Sequence, residues 1–321
     1  MVYIKRAAHR LLTLLICFCL ALSAAGCGRE EKAALRIGVM PDLDSIPLMT
    51  AALAGLLPEE IVLEVYKSPT DRDSALFSGH LDGAVSDLLA AFLAAENEGE
   101  YRILSVTDGC YKLVTAPGGD IAAVEQLAGK NVGMSLHTII EYAGDRMLTV
   151  GSLSPEQVEK TAVPSIPARL ELLKAGQLDA AVLPEPYAAA ALEAGGRLLA
   201  SSADLSLDAG VLLFNQAAFV EKGALLQALT EGYNQAVDLL NSGQADVDAA
   251  AAALGLPDAL DSALLPDYRP AAWPAIEQME AAAAWLMDAG LVSDPMDPQS
   301  LLEVPAGEGE VSSGKPAGIA D

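Results

Sequence analysis

Basic residues are scarce in this chain: 19 Lys and Arg stand against 44 Asp and Glu over 321 residues, a net charge of −25. Nucleic acid requires clustered Lys and Arg, so that partner class is excluded. The same imbalance means that charge cannot hold the folded part to an anionic membrane. Aromatic residues make up only 5% of the chain, and there are three histidines, none with a partner at metal-ligand spacing. A zinc site is therefore not expected, and nothing in the pattern calls for a cofactor. Of the four cysteines, Cys17 and Cys19 lie in an apolar leader and Cys27 lies just beyond it, which leaves Cys110 alone and no internal disulfide to form. The fold must then rest on its core. At 52% hydrophobic, the chain can build one large core or two ordinary ones.

What is present is a stretch that occurs twice. SPTDRDSALFSGHLDGAV at 68–85 and SIPARLELLKAGQLDAAV at 165–182 align without gaps. Identities fall at Ser68/Ser165, Arg72/Arg169, Leu76/Leu173, Gly79/Gly176, Leu81/Leu178, Asp82/Asp179, Ala84/Ala181 and Val85/Val182, at a constant offset of 97. Each copy has the pattern of a helix with one apolar face, a glycine able to take the left-handed closing position, and a short buried strand. Two such helix-to-strand units, spaced far beyond solenoid periods, predict two similar α/β lobes.

The leader begins with Lys5, Arg6 and Arg10, continues through an apolar run over 11–22 and ends in Ser23-Ala24-Ala25-Gly26-Cys27. A basic start, a short apolar run and small residues mark a secretory signal over 1–26, too short for a comfortable membrane span. The small triplet abutting Cys27 resembles the lipobox of bacterial lipoproteins, with Ala24 where that pattern prefers leucine. It implies that Cys27 is acylated, followed by a tether over 27–33. Losing three basic residues with the signal leaves 16 Lys and Arg against 44 acidic residues, a net −28. The acyl anchor is then the expected membrane contact.

A first strand is expected at 34–40, followed by the loop Pro41-Asp42-Leu43-Asp44-Ser45 and a helix at 48–57. Ligands of open α/β sheets bind beyond the carboxyl ends of strands, where loops meet helix N-termini. That places Asp42, Asp44 and Ser45 among the candidates, although Asp42 and Ser45 serve equally well as helix caps. The same junction after the first repeat holds Ser86 and Asp87, and Asp87 is again a natural N-cap. Strands are expected at 101–106 and 111–115, and Pro117-Gly118-Gly119-Asp120 is the clearest linker in the chain. The second lobe would restart near Leu127, with His137 and Thr138 before a helix over 139–150. His137 is as readily a surface or capping residue. The second repeat ends in Leu183-Pro184-Glu185-Pro186, where two prolines fix the backbone around Glu185 and make its carboxylate the strongest single ligand candidate. A long apolar strand at 209–215 can return the chain to the first lobe. Helices are expected at 217–241, 244–254 and 273–289, before an aperiodic tail over 304–321.

Several of these residues resemble a known family. Ile37-Gly38-Val39 with Pro47, Ala51 and Gly55, the paired Leu81-Asp82-Gly83-Ala84-Val85 and Leu178-Asp179-Ala180-Ala181-Val182, Leu127 with Gly129-Lys130, and Trp285-Leu286 with Gly290-Leu291 are similar to the ABC-transporter substrate-binding family of sulfonate, nitrate and thiamine-pyrimidine binding proteins. The resemblance implies a type II periplasmic-binding-protein fold: two Rossmann-like α/β lobes, with a ligand cleft between them. Lobe 1 would span 34–116, lobe 2 would span 117–208, and 209–303 would return to lobe 1, with hinges near Ala116-Pro117 and 208–210. It also implies a monomer that hands a small molecule to an ABC permease and its ATPase. The candidate junctions carry Asp42, Asp44, Asp87 and Glu185 and no basic residue, which favours a cationic, nitrogen-rich ligand such as an aminopyrimidine over an anion. A sulfonate- or nitrate-type anion, a sensing role without transport, and a biosynthetic enzyme of the same fold remain the alternatives, and no Ser-His-Asp order or Cys-His pair points to catalysis.

Overall fold

The computed structural model describes residues 34–96, 100–205, 207, 210–256, 260 and 262–302. The signal at 1–26, Cys27 and its tether, and the tail at 304–321 lie outside the described residues. Two five-stranded sheets form the frame. The first contains β1 (Leu35–Val39), β2 (Ile61–Val65), β3 (Gly83–Asp87), β4 (Tyr101–Val106) and β10 (Gly210–Asn215), in the order β2-β1-β3-β10-β4. The second contains β5 (Tyr111–Thr115), β6 (Asn131–Met134), β7 (Glu159–Ala162), β8 (Ala180–Pro184) and β9 (Leu198–Ser201), in the order β7-β6-β8-β5-β9. In each, three parallel strands are followed by an antiparallel fourth, β10 or β5. The two sheets are therefore built to one plan.

Helices α1 (Ile46–Leu53), α2 (Pro69–Phe77) and α3 (Leu88–Glu96) connect strands of the first sheet. Helices α4 (Ile139–Leu148), α5 (Ile166–Lys174) and α6 (Tyr187–Glu193) connect strands of the second. After β10 come α7 (Gln216–Glu221), α8 (Gly223–Asn241), α9 (Val247–Leu254) and α10 (Ile276–Asp288). The expected helix over 217–241 is thus two, parted at Lys222, whose backbone leaves helical geometry at φ −124°, ψ 23°. The repeat shows the logic of its parts: Pro69 and Pro167 sit in the first turns of α2 and α5, and Gly79 and Gly176 take φ of +77° and +67° just past the ends. β3 and β8 are buried along their whole length, as parallel strands covered on both faces must be. Among the described residues no helix is long and apolar enough to cross a membrane.

One boundary needs correction. β5 was expected to close the first lobe, with the crossing at Pro117. It pairs instead with β8 and β9, Leu113 opposite Val182 and Ala200. The chain therefore crosses between sheets at 107–110, and Ala116-Pro117 lies at the far end of β5 and is not a hinge. The second crossing runs between β9 and β10, and Thr107 N–H joins the two by donating to Gly210 O at 2.9 Å.

Candidate functional site

The loop after β1 is built by its own polar groups. Asp42 Oδ1 accepts from Ser45 N–H at 3.2 Å and from Ser45 Oγ at 3.1 Å, while Ser45 Oγ accepts from Met40 N–H at 2.9 Å. Ser45 is fully buried, and its bonds shape the loop. Asp44 turns toward the inter-sheet crossing, where Oδ1 accepts from the Thr107 hydroxyl and from Gly109 N–H at 2.7 Å. A Cβ on Gly109 would come within 1.7 Å of Asp44 Oδ2, so only glycine allows this seat. Burial drives both carboxyls up, Asp42 to about 6 and Asp44 to about 7, and for Asp44 the neighbouring charge of Asp42 adds to it.

Ser86 and Asp87 belong to a different arrangement. Asp87 Oδ2 pairs with Arg72 Nη2 at 3.2 Å, and Asp87 Oδ1 accepts from Ala90 N–H at 2.9 Å in the first turn of α3. Arg72 also pairs with Asp73 at 2.7 Å and donates to Val85 O at 3.1 Å. Burial opposes the Arg72 charge, but the Asp73 and Asp87 carboxylates outweigh it and raise its pKa. Ser86 Oγ donates to Asp73 at 3.4 Å. Desolvation still lifts Asp73 to about 6 despite its guanidinium partner.

In the second lobe, Thr138 caps α4 by accepting from Ile140 N–H at 3.2 Å and donates to Ser135 O at 2.9 Å. His137 is exposed, in the left-handed region at φ 58°, and its N–H donates to Glu141 Oε2 at 2.7 Å. The bonds of both are local. Glu185 is 3% exposed, ion-paired to Lys112 on β5, and accepts from Ala189 N–H at 2.9 Å. The expectation of a cleft without basic residues fails here, because Lys112 and Arg72 arrive from other elements and neutralise Glu185 and Asp87. Only Asp42 and Asp44 are left without a cationic ion-pair partner among the described residues.

Three tyrosines lie in or near these elements, of which the sequence singles out neither Tyr111 nor Tyr187. Tyr111 on β5 is pushed well above its ordinary range by burial and then by the charges of Asp44, Asp42 and Asp87. Tyr187 at the start of α6 is pushed up to about 12 by burial and then by Asp42. Tyr268 donates to Leu43 O at 3.0 Å and braces the loop from behind. Tyr187 follows Glu185-Pro186 directly, and Tyr111 adjoins Lys112. A cavity of about 570 Å³ opens elsewhere, lined by Asn241, Asp246, Asp267 and Tyr268. Asp246 caps α9 there by accepting from Ala249 N–H, and the strand-end loops do not line it. Among the described residues no group of three or more His, Cys, Asp or Glu is placed to hold a metal ion.

Residues 120–255 match the NMT1-like family model. No curated protein matches the sequence. The alkanesulfonate-binding protein SsuA from Xanthomonas axonopodis pv. citri bound to MOPS is 22% identical, with a TM-score of 0.74 over 85% of this chain and 98% of that one. The ligand-binding component of an ABC-type import system from Staphylococcus aureus, with zinc bound, is 15% identical, with a TM-score of 0.65 over 85% and 97%. The desulfurization enzyme DSZB is 18% identical, with a TM-score of 0.58 over 85% and 96%. At these identities the likeness to solved structures concerns the fold, that of type II periplasmic binding proteins. Together with the match over 120–255, it bears out the family resemblance read from the sequence.

Proposed function

We propose that the chain is an extracytoplasmic solute-binding protein, lipid-anchored through Cys27, which clasps a small nitrogen-rich molecule between its lobes and delivers it, as a monomer, to an ABC permease and its ATPase. One observation carries this reading: two sheets of the same strand plan are joined by crossings at 107–110 and between β9 and β10, and Asp44 of the first lobe is seated on the crossing by Thr107 and Gly109. Such a frame closes by rotation at its crossings, and a ligand touching both lobes shifts the population toward the closed form. The import-system component and SsuA, both of this fold, support the transport reading. An aminopyrimidine of the thiamine-precursor type suits Asp42 and Asp44, which can accept from amino and ring N–H groups.

A sulfonate-type anion is the second reading, favoured by the fold shared with the alkanesulfonate-binding protein. A sensing lipoprotein would need the same cleft. Catalysis is less well supported even though a desulfurization enzyme shares the fold. Among the described residues, Cys110 Sγ has Ser201 Oγ, Ser202 Oγ and the Tyr111 carbonyl as its hydrogen-bonding neighbours and no histidine to activate it. Mass spectrometry of small molecules released on unfolding the purified mature chain tests the reading, followed by thermal-shift titration of what is found. A ligand at a hundred times its Kd adds about 2.7 kcal/mol of stability. A shift from sulfonates with none from thiamine-type pyrimidines would move the assignment to the second reading.

A further inference from the structure

We propose that the cleft carries a latch of its own at its mouth: Ile166 N–H, at the start of α5 in the second lobe, donates to Lys67 O, just before α2 in the first, and this bond holds the lobes shut. The inference rests on the solute-binding reading above and adds to it a contact that keeps the closed form without touching the solute.

The bond is 3.3 Å long, and its place in the frame gives it leverage. Lys67 follows β2 and Ile166 follows β7, the outer strands of the orders β2-β1-β3-β10-β4 and β7-β6-β8-β5-β9, while both crossings leave from the opposite side, through β4, β5, β9 and β10. Rotation about the crossings therefore parts this edge first. Each half of the latch is fixed to its own lobe. Tyr66 N–H donates to Val39 O at 2.9 Å, which ties the chain before Lys67 to β1. Val163 N–H donates to Met134 O at 2.8 Å, and Arg169 donates to Val163 O at 2.9 Å through Nε and to Pro164 O at 3.3 Å through Nη2. The loop before Ile166 is thus held both to β6 and to α5. Ile166 is 1% exposed, in one apolar cluster with Val39, Met40 and Leu43 of the first lobe.

The 97-residue offset shows how the latch arises. The counterpart of Ile166 in the first copy is Pro69, which has no N–H to give. Ser68 Oγ caps α2 by accepting from Asp71 N–H at 3.3 Å, whereas Ser165 makes no side-chain cap bond, so the first turn of α5 takes its acceptor from outside its own helix. On the acceptor side, Lys67 is the counterpart of Pro164. Arg169 uses Pro164 O, but Arg72 turns its Nη2 to Asp73 and Asp87, which leaves Lys67 O to the other lobe. The same departures from the repeat that balance Arg72 supply the latch.

The test uses the mature chain freed of solute. Amide exchange at Ile166, followed by NMR, should be slowed about tenfold relative to an unstructured peptide of the same sequence. Ile166→Pro removes the donor at a helix start, where proline is tolerated, and Ser165 before it already has the extended backbone that a following proline requires, φ −70°, ψ 114°. Ile166→Ala keeps the N–H and loses more of the buried side chain. Small-angle scattering should give the proline variant a larger radius of gyration than the alanine variant and the unaltered chain, which should agree. Exchange at Ile166 at the unstructured rate would overturn the latch, and so would equal radii of gyration in the two variants. If Ile166→Pro does not fold, exchange in the unaltered chain decides alone. A latch disproved in a chain that still releases a bound molecule on unfolding leaves solute capture standing. A latch observed in a chain that releases no molecule and is stabilised by none would instead remove the solute-binding reading.

Discussion

Arg72 and Arg169 occupy the same place in the two lobes and live in opposite electrostatic surroundings. Arg72 Nη1 donates to Val85 O at 3.1 Å and Arg169 Nη1 to Val182 O at 2.8 Å, equivalent bonds 97 residues apart. The aspartates of the repeat match as well: Asp82 Oδ2 accepts from Arg36 N–H at 2.8 Å and Asp179 Oδ2 from Asn131 N–H at 2.9 Å. The repeat is therefore a structural strut, in which each arginine ties its helix to the following strand and each aspartate ties that strand to its neighbour. The difference lies in what surrounds the charge. Arg72 has the carboxylates of Asp73 and Asp87, where the second copy carries Leu170 and Pro184. Arg169 is fully buried and bonded to carbonyls alone, those of Val163, Pro164 and Val182, and burial lowers its pKa to about 9. One fold unit is thus used twice, with its arginine charge met by carboxylates in one lobe and by carbonyls alone in the other.

The largest effect should come from removing the balanced arginine. Arg72→Met strands two buried carboxylates and should cost about 3–5 kcal/mol by denaturant unfolding. Arg169→Met removes a buried charge along with its bonds, leaves only carbonyls unpaired, and should cost about 1–3 kcal/mol. A reversed order would break the comparison. Next comes pH. Asp42, Asp44 and Asp73 have folded-state pKa values of about 6, 7 and 6, above the ordinary 3.8. The folded chain therefore holds these protons more tightly than the unfolded chain, and their contribution to stability falls as pH rises from about 4 to about 7. Without ligand, Tm should be lower at about pH 8 than at about pH 5, with a shallower slope in Asp42→Asn; a slope unchanged by that substitution would place the titration elsewhere.

The smallest effect concerns a second contact between the lobes. α10 packs on α3, and its Trp285 reaches α4, where Nε1 donates to Asp145 Oδ2 at 3.1 Å and the ring lies 5.6 Å from that of Tyr142. Trp285→Phe keeps the ring contact and loses the bond, a cost of about 0.5–1.5 kcal/mol. Amide exchange in 139–148 should rise if this contact joins the lobes.

The frame was legible because its signals are local. The repeat, its proline starts and glycine ends, and the strand-loop-helix order fall within windows of about twenty residues. The sheet to which β5 belongs was not, since TYR111-to-Thr115 is five residues of ordinary strand whose partner lies some seventy positions away. The same distance hid the site's charge balance. Glu185 stood out between two prolines, yet its neutralising Lys112 is 73 residues upstream. Asp44 looked like a residue of a ligand loop, and its bonds to Thr107 and Gly109, 63 and 65 residues on, seat it at a crossing between lobes. Arg72 was visible as a repeated identity, but its role required knowing that Asp87 returns to it. Tyr111 and Tyr187 gave no signal because an aromatic residue on an apolar element has the pattern of core.

The account depends most on lobes that shut on a small guest. Small-angle scattering of the mature chain, first stripped of bound solute by unfolding and refolding and then given back what was released, measures this directly. The radius of gyration should fall on re-addition and Tm should rise with it. An unchanged radius of gyration, with stability indifferent to the returned solute, would contradict the account.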